Sequence, residues 1–244
     1  MRRIRIHVAY DGTGFHGWQV QPGLSTIQGT LEEIVSGMEG HPVHVAGSGR
    51  TDAGVHALCQ VAAFSLENPI PVPNLQRAVN RLLPPAIRVL SAEEAPAGFH
   101  PRFDARAKTY EYRILRGAIC PPFEWPYVYH YPYPLDEERM VLLARAFEGE
   151  RDFTAFAASD DRDQEGKSKV RTIFSSVLER GEGRLTYRVR GSGFLKHMVR
   201  NIVGTLIEAG RGHLDTVDRI PSRCGPTAPA KGLFLVGVEY RRAS

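Results

Sequence analysis

Apolar residues along this 244-residue chain change period in the same order twice, and that recurrence limits the fold more than any single residue does. In the first half Ile4, Ile6 and Val8 alternate as a strand. Ile27, Leu31, Ile34, Val35 and Met38 then fall at helical spacing behind Ser25 or Thr26, either of which suits a helix N-cap. Strands are expected over Val43–Ala46 and Val55–Leu66. A second helix carries Leu75, Val79, Leu82 and Leu83 and stops at Pro84-Pro85, and Ile87, Val89 and Leu90 make a fourth strand. The order is β-α-β-β-α-β.

The second half repeats it. Tyr110, Tyr112 and Ile114 alternate as a strand, and a helix over 136–148 opens at Asp136 and carries Met140, Leu143, Ala144 and Phe147. Strands near 170–179 and 184–190 flank the turn Arg180-Gly-Glu-Gly183. A helix over 194–209 bears Leu195, Met198, Val199, Ile202, Val203, Leu206 and Ile207, and Leu233, Leu235 and Val238 close with a strand. The expected fold class is α+β, two tandem ferredoxin-like units with mainly antiparallel sheets. The expected domains are 1–104 and 105–244. Ala157–Lys169, rich in Asp, Glu and Lys, falls outside the pattern and reads as a solvated loop.

Forty-two per cent apolar and 24% charged residues suit an ordinary water-soluble globular chain. The opening Met-Arg-Arg-Ile-Arg-Ile-His-Val reads as a strand and not as a signal peptide, and no apolar run reaches membrane-spanning length. Three distant cysteines (Cys59, Cys120, Cys224) form no CxxC pair, which argues against a disulfide frame or a zinc site and suits a reducing cytoplasm. The net charge of +4 is uneven: residues 1–104 hold 8 Lys+Arg against 9 Asp+Glu, and residues 105–244 hold 23 against 18. Basic clusters at Arg102, Arg106, Lys108, Arg113, Arg116 and at Arg184, Arg188, Arg190, Lys196, Arg200 permit a polyanionic partner.

The segment Ala46-Gly-Ser-Gly-Arg-Thr-Asp-Ala-Gly-Val-His-Ala57 carries the most chemistry. Arg50 and Asp52 stand two residues apart among Gly47, Gly49 and Gly54, between two expected strands. A dinucleotide loop would need glycine where Asp52 stands, and a phosphate loop would need Lys-Ser/Thr where Val55-His56 follows. There is no HExxH, GxSxG, His/Cys cluster or EF-hand pattern either. Read alone, the segment is a glycine-rich turn or a carboxylate delivered on a rigid scaffold. Arg200, inside the apolar run Met198-Val-Arg-Asn-Ile-Val203, has the setting of a partly buried cation that needs a carboxylate. Tyr110 alone reads as a core tyrosine.

Seven segments in order resemble the TruA family of tRNA pseudouridine synthases: Tyr10-Asp-Gly-Thr with Gly17-Trp-Gln, Gly49-Arg-Thr-Asp-Ala-Gly-Val-His-Ala57, Phe99-His-Pro-Arg-Phe103, Tyr110-x-Tyr112, Gly193-Phe-Leu, Met198-Val-Arg-Asn-Ile-Val-Gly204 and Ala228-Pro-Ala-x-Gly-Leu233. The resemblance implies the pseudouridine synthase fold and isomerisation of uridine to pseudouridine in the anticodon stem-loop of tRNA, without cofactor or metal. It implies that Asp52 is the catalytic carboxylate, acting on base or sugar, with Arg200 as its ion-pair partner. Tyr110 would stack on the uracil and assist proton removal from C5, Leu233 would wall the ring, and Arg50 would fill the gap left by the extruded base. It further implies a homodimer, with tRNA spanning both subunits. Lys108, Ser192 and Phe234 depart from the residues usual in the family, where arginine, asparagine and tyrosine are common.

Two other function classes are compatible with the topology. One is a non-catalytic RNA-binding module of tandem RRM-like units, against which stands the missing RNP1 pattern. The other is a small-molecule enzyme on the same scaffold.

Overall fold

A computed structural model describes residues 1–158, 168–215 and 217–241. The chain divides into two compact units, Met1–Arg106 with the strand from Phe234, and Ala107–Leu233. Both are mixed α and β with mainly antiparallel strands, as the periodicity implied.

In the first unit β1 (Arg2–Tyr10) lies between β3 (His56–Leu66) and β4 (Ile87–Ala95), antiparallel to both. The alternation is clean: Ile4, Ile6, Val8 and Tyr10 are buried. Helix α1 (Ile27–Glu39) starts where Thr26 caps it, its side chain accepting from the Gly29 N–H at 3.2 Å, and ends at Gly40 with φ 79°. It buries Ile27, Leu31 and Val35, while α2 (Val72–Leu82) buries Leu75 and Val79. Each such side chain contributes about 1.5–3 kcal/mol. Leu82 of α2 and Leu90 of β4 are exposed.

The expected strand at 43–46 shrinks to β2 (Ala46–Gly47), paired with Ala62 and Ala63 of β3. Its backbone is diverted to α1: Val43 N–H donates to Ser36 Oγ at 2.8 Å and Val45 N–H to Glu32 Oε1 at 3.0 Å. The same edge of β3 takes a second strand further along, β10 (Leu233–Tyr240), parallel, with Phe234 opposite His56 and Leu235 opposite Ala57. The sequence reading had placed this strand with the second half; its pairing with β3 puts it in the first compact unit.

In the second unit β5 (Ala105–Leu115) pairs antiparallel with β9 (Arg184–Gly191), β9 with β8 (Val170–Gly181), and β8 with β7 (Gly149–Asp152). The two-residue β6 (Tyr129–His130) runs parallel to the end of β5. β6 and β7 escaped the sequence reading because two residues show no alternation and Gly-Glu-Arg-Asp is exposed throughout. Helix α3 (Glu137–Ala146), capped by Asp136, packs against α4 (Met198–Gly210), which is buried on nearly every side. Phe147, Phe153 and Phe156 form a buried aromatic cluster beside them.

Helix α4 starts at Met198 and not at 194, because His197 takes a left-handed φ of 60° and breaks helical continuation. Of the charged stretch 157–169, residues 159–167 lie outside the described residues.

Candidate active site

Residues 48–55 connect β2 to β3 and carry Asp52, which is partly buried. Thr51 and Val55, flanking it, are buried. A tight turn follows Asp52: Val55 N–H donates to the Asp52 carbonyl at 3.1 Å while Gly54 takes φ 76°. This is the glycine whose freedom the turn requires.

A second loop, 11–20, lies beneath the first. Trp18 N–H donates to the Thr51 carbonyl at 3.1 Å, and Gly54 N–H to that of Phe15 at 3.3 Å. Gly17, at φ 90°, lies so close that a Cβ there would stand 2.5 Å from Thr51 O and 3.1 Å from Asp52 C. The buried Trp18 ring packs where a Cβ on Gly47 would sit. The Tyr10 hydroxyl bonds Thr51 Oγ1 at 2.8 Å, and burial pushes that phenol far above its ordinary pKa.

The exposed Arg50 donates from Nε to Gln19 Oε1 at 3.1 Å, on the solvent side of the loop. His56, 1% exposed, stacks on Phe234 with ring centres 4.7 Å apart. Its Nδ1 lies 3.1 Å from Gly12 N and 3.2 Å from Asp11 Oδ1, accepting from the first or donating to the second according to tautomer.

In the second unit the buried Tyr110 meets Phe194 edge-to-face, ring centres 5.0 Å apart at 80°. Tyr112 is fully buried, donates its hydroxyl to the Pro229 carbonyl at 2.7 Å, and packs its ring against Gly232. Burial raises the Tyr112 phenol well above its usual pKa, with Tyr129 pushing the same way and Arg200 opposing. Arg200, on the first turn of α4, donates from Nε to the Ala228 carbonyl at 2.7 Å, and Ala228 N–H returns a bond to the Arg200 carbonyl at 3.2 Å. The loop that Arg200 grips runs on to the buried Leu233.

Of the residues singled out by sequence, Arg50 and Asp52 therefore belong to the first unit and Tyr110, Arg200 and Leu233 to the second. Within the second, Arg200 and the loop leading to Leu233 come together. The basic clusters are partly compensated: Arg113 and Arg188 both bind Glu111, Arg184 binds Glu124, and Arg116 binds Glu137. Sequence reasoning missed the polar side chains below the Asp52 loop. Ser48 Oγ donates to Gln60 Oε1 at 2.5 Å, and Gln60 Nε2 to the Gly49 carbonyl at 2.9 Å. The available signal was Gln60, the polar residue within the otherwise apolar run Ala57–Phe64 of β3. Among the described residues no group of three His, Cys, Asp or Glu could hold a metal ion, and no helix is long and apolar enough to cross a membrane.

Residues 6–104 and 143–241 match the family described as tRNA pseudouridine synthase. A protein of Solibacter usitatus called tRNA pseudouridine synthase A is 79% identical over 240 residues, covering 98% of this chain and 100% of that one. Proteins of the same description from Geotalea uraniireducens and Lacticaseibacillus casei are 44% and 41% identical, each over 98% of this chain and 100% of their own length. With its fold, its braced carboxylate loop and these matches in hand, the chain belongs to the tRNA pseudouridine synthase family.

Proposed function

We propose that the protein isomerises uridine to pseudouridine in the anticodon stem-loop of tRNA, with Asp52 as its catalytic carboxylate. The N1–C1′ bond breaks, the uracil turns over, and a C5–C1′ bond forms while the hydrogen on C5 leaves to solvent and N1 takes up a proton. No electrons are gained or lost overall. The single observation that carries the reading is the Asp52 loop: a partly buried carboxylate on a backbone tied by hydrogen bonds on both flanks. Fixed geometry of this kind is what a group meeting one atom of a large substrate requires.

The other roles follow from side-chain chemistry. Phe194 holds the Tyr110 ring in one plane, suited to stacking on a uracil, and Tyr110 assists removal of the C5 proton. Leu233 supplies an apolar wall. Arg200 is the ion-pair partner that the family resemblance assigns to the catalytic carboxylate, and its Nε is anchored on the Ala228 carbonyl. The exposed Arg50 takes the gap left by the base, which must leave the stack to react. The protein works as a homodimer in the cytoplasm.

The test uses a tRNA transcript tritiated at uracil C5. Wild type releases tritium to water; Asp52→Asn loses turnover by at least about 10²–10⁴-fold yet still binds tRNA. Comparable release from both proteins would refute the role of Asp52. Tight binding without any release by wild type would favour a non-catalytic RNA-binding module.

A further inference from the structure

We infer that Tyr10, Ser48, Thr51 and Gln60 are positioning residues for Asp52, a buried polar brace that sets where the carboxylate meets the substrate. This rests on the reading of Asp52 as the catalytic carboxylate and concerns how the chain holds it.

All four side chains lie in the interior, at 4%, 0%, 7% and 0% exposure respectively. Burying polar groups costs free energy unless each finds a partner, and apolar residues of similar shape would fill the same space without that demand. Here the demand is met. The Tyr10 hydroxyl bonds Thr51 Oγ1 at 2.8 Å. Gln60 Oε1 accepts from Ser48 Oγ at 2.5 Å and from Val61 N–H at 3.2 Å, while its amide donates to the Gly49 carbonyl at 2.9 Å. Among the described residues no buried side-chain nitrogen or oxygen is left without a partner.

The direction of these bonds matters more than their number. Tyr10 ends β1 and Gln60 sits within β3, two strands already paired through their backbones, with Val8 opposite Gln60 and Tyr10 opposite Ala57. Their side chains are therefore not needed to hold the strands together. They reach sideways into the loop and grip it at residues 48, 49 and 51, immediately before Asp52. The 11–20 loop also holds the Thr51 carbonyl and the Gly54 N–H, through Trp18 and Phe15. Asp52, itself only partly buried, is thus fixed through its neighbours. A fully satisfied network of this sort specifies one arrangement of the loop.

A displacement of about 1 Å in a reacting group can cost on the order of 100-fold in rate, so such a brace acts on turnover more than on affinity. The test is a set of four variants, Tyr10→Phe, Thr51→Val, the double variant, and Thr51→Ser, which keeps the hydroxyl. Tritium release gives kcat and KM for tRNA, and thermal unfolding gives stability. Each single hydroxyl deletion lowers kcat by between about 10- and 100-fold with KM within roughly twofold. The double variant is little worse than the poorer single one, because both deletions break the same bond. Thr51→Ser stays within a few-fold of wild type.

Wild-type kcat in Tyr10→Phe and Thr51→Val would overturn the proposal, as would losses carried by KM or matched by the unfolded fraction. Asp52→Asn run alongside separates the two levels. If it is inactive while the hydroxyl deletions are not, only the brace fails. If it is active, the role of Asp52 itself fails.

Discussion

Replacing Gly17 by alanine tests the contact between the two loops most directly. The new Cβ would stand 2.5 Å from Thr51 O, 3.1 Å from Asp52 C and 3.2 Å from Ala53 N, at a φ of 90°. A carbon and a carbonyl oxygen need about 3.3 Å, so the Thr51 carbonyl must retreat by about 1 Å. The left-handed backbone costs an alanine about 1–2 kcal/mol. Stretching the Trp18 N–H bond to Thr51, 3.1 Å in this fold, adds about 1 kcal/mol. The sum of about 2–3 kcal/mol lowers Tm by roughly 4–12 °C for a chain of this size. Turnover falls more than stability suggests, by on the order of 100-fold, because the retreat carries Asp52 with it. Circular dichroism melts and C5-tritium release at saturating tRNA, measured well below the shifted Tm, read both quantities. Gly37→Ala on α1 is the control: nothing lies within 4 Å of its Cβ, and alanine in a helix there should stabilise by up to about 1 kcal/mol. Wild-type turnover and an unmoved Tm in Gly17→Ala would show that the loops are not coupled as described.

Two further outcomes concern the second unit. Gly204→Ala would put a Cβ 1.7 Å from the Pro226 carbonyl, pushing the 225–228 loop off α4 and breaking the Arg200–Ala228 bond; a loss above about 3 kcal/mol is expected, and a wild-type melt would contradict it. Burial pushes the Glu111 carboxyl up, but hydrogen bonds from Arg188 and Arg113 outweigh it and hold the pKa below the ordinary 4.5. The unfolded chain therefore takes up that proton at higher pH than the folded one, so the stabilisation is complete above the ordinary value and fades as pH falls through the lowered one. The Tm difference between wild type and Glu111→Gln should be widest near neutrality and shrink as pH falls below the ordinary carboxylate range; a constant gap would refute the linkage.

How much of this could be read in the chain depended on the range of the interaction. Ile4, Ile6 and Val8, or Leu31 and Val35, reveal their elements because burial repeats at the period of the local backbone. The capping roles of Thr26 and Asp136 are equally local. Leu195 misled because apolar spacing continues smoothly through His197, whose left-handed backbone leaves no mark on that pattern. Val43 and Val45 look like a strand, yet Ser36 and Glu32 on α1 take their N–H groups. The Asp52 loop stood out through its own residue types. Its brace did not, since Tyr10 and Gln60 meet Thr51 and Ser48 only when β1 pairs with β3.

The parallel pairing of Phe234 with His56 has a consequence for the order of assembly. On a ribosome that supplies about 5–20 residues per second, roughly 180 residues separate the synthesis of these two partners. The edge of β3 next to the Asp52 loop stays uncovered throughout that interval, and closing so long a loop delays the final step. The 107–233 unit can condense in the meantime, so the half of the chain made first is the half completed last. A nascent chain stalled before Phe234 should carry a protease-sensitive Asp52 loop, and one released after Tyr240 a protected one.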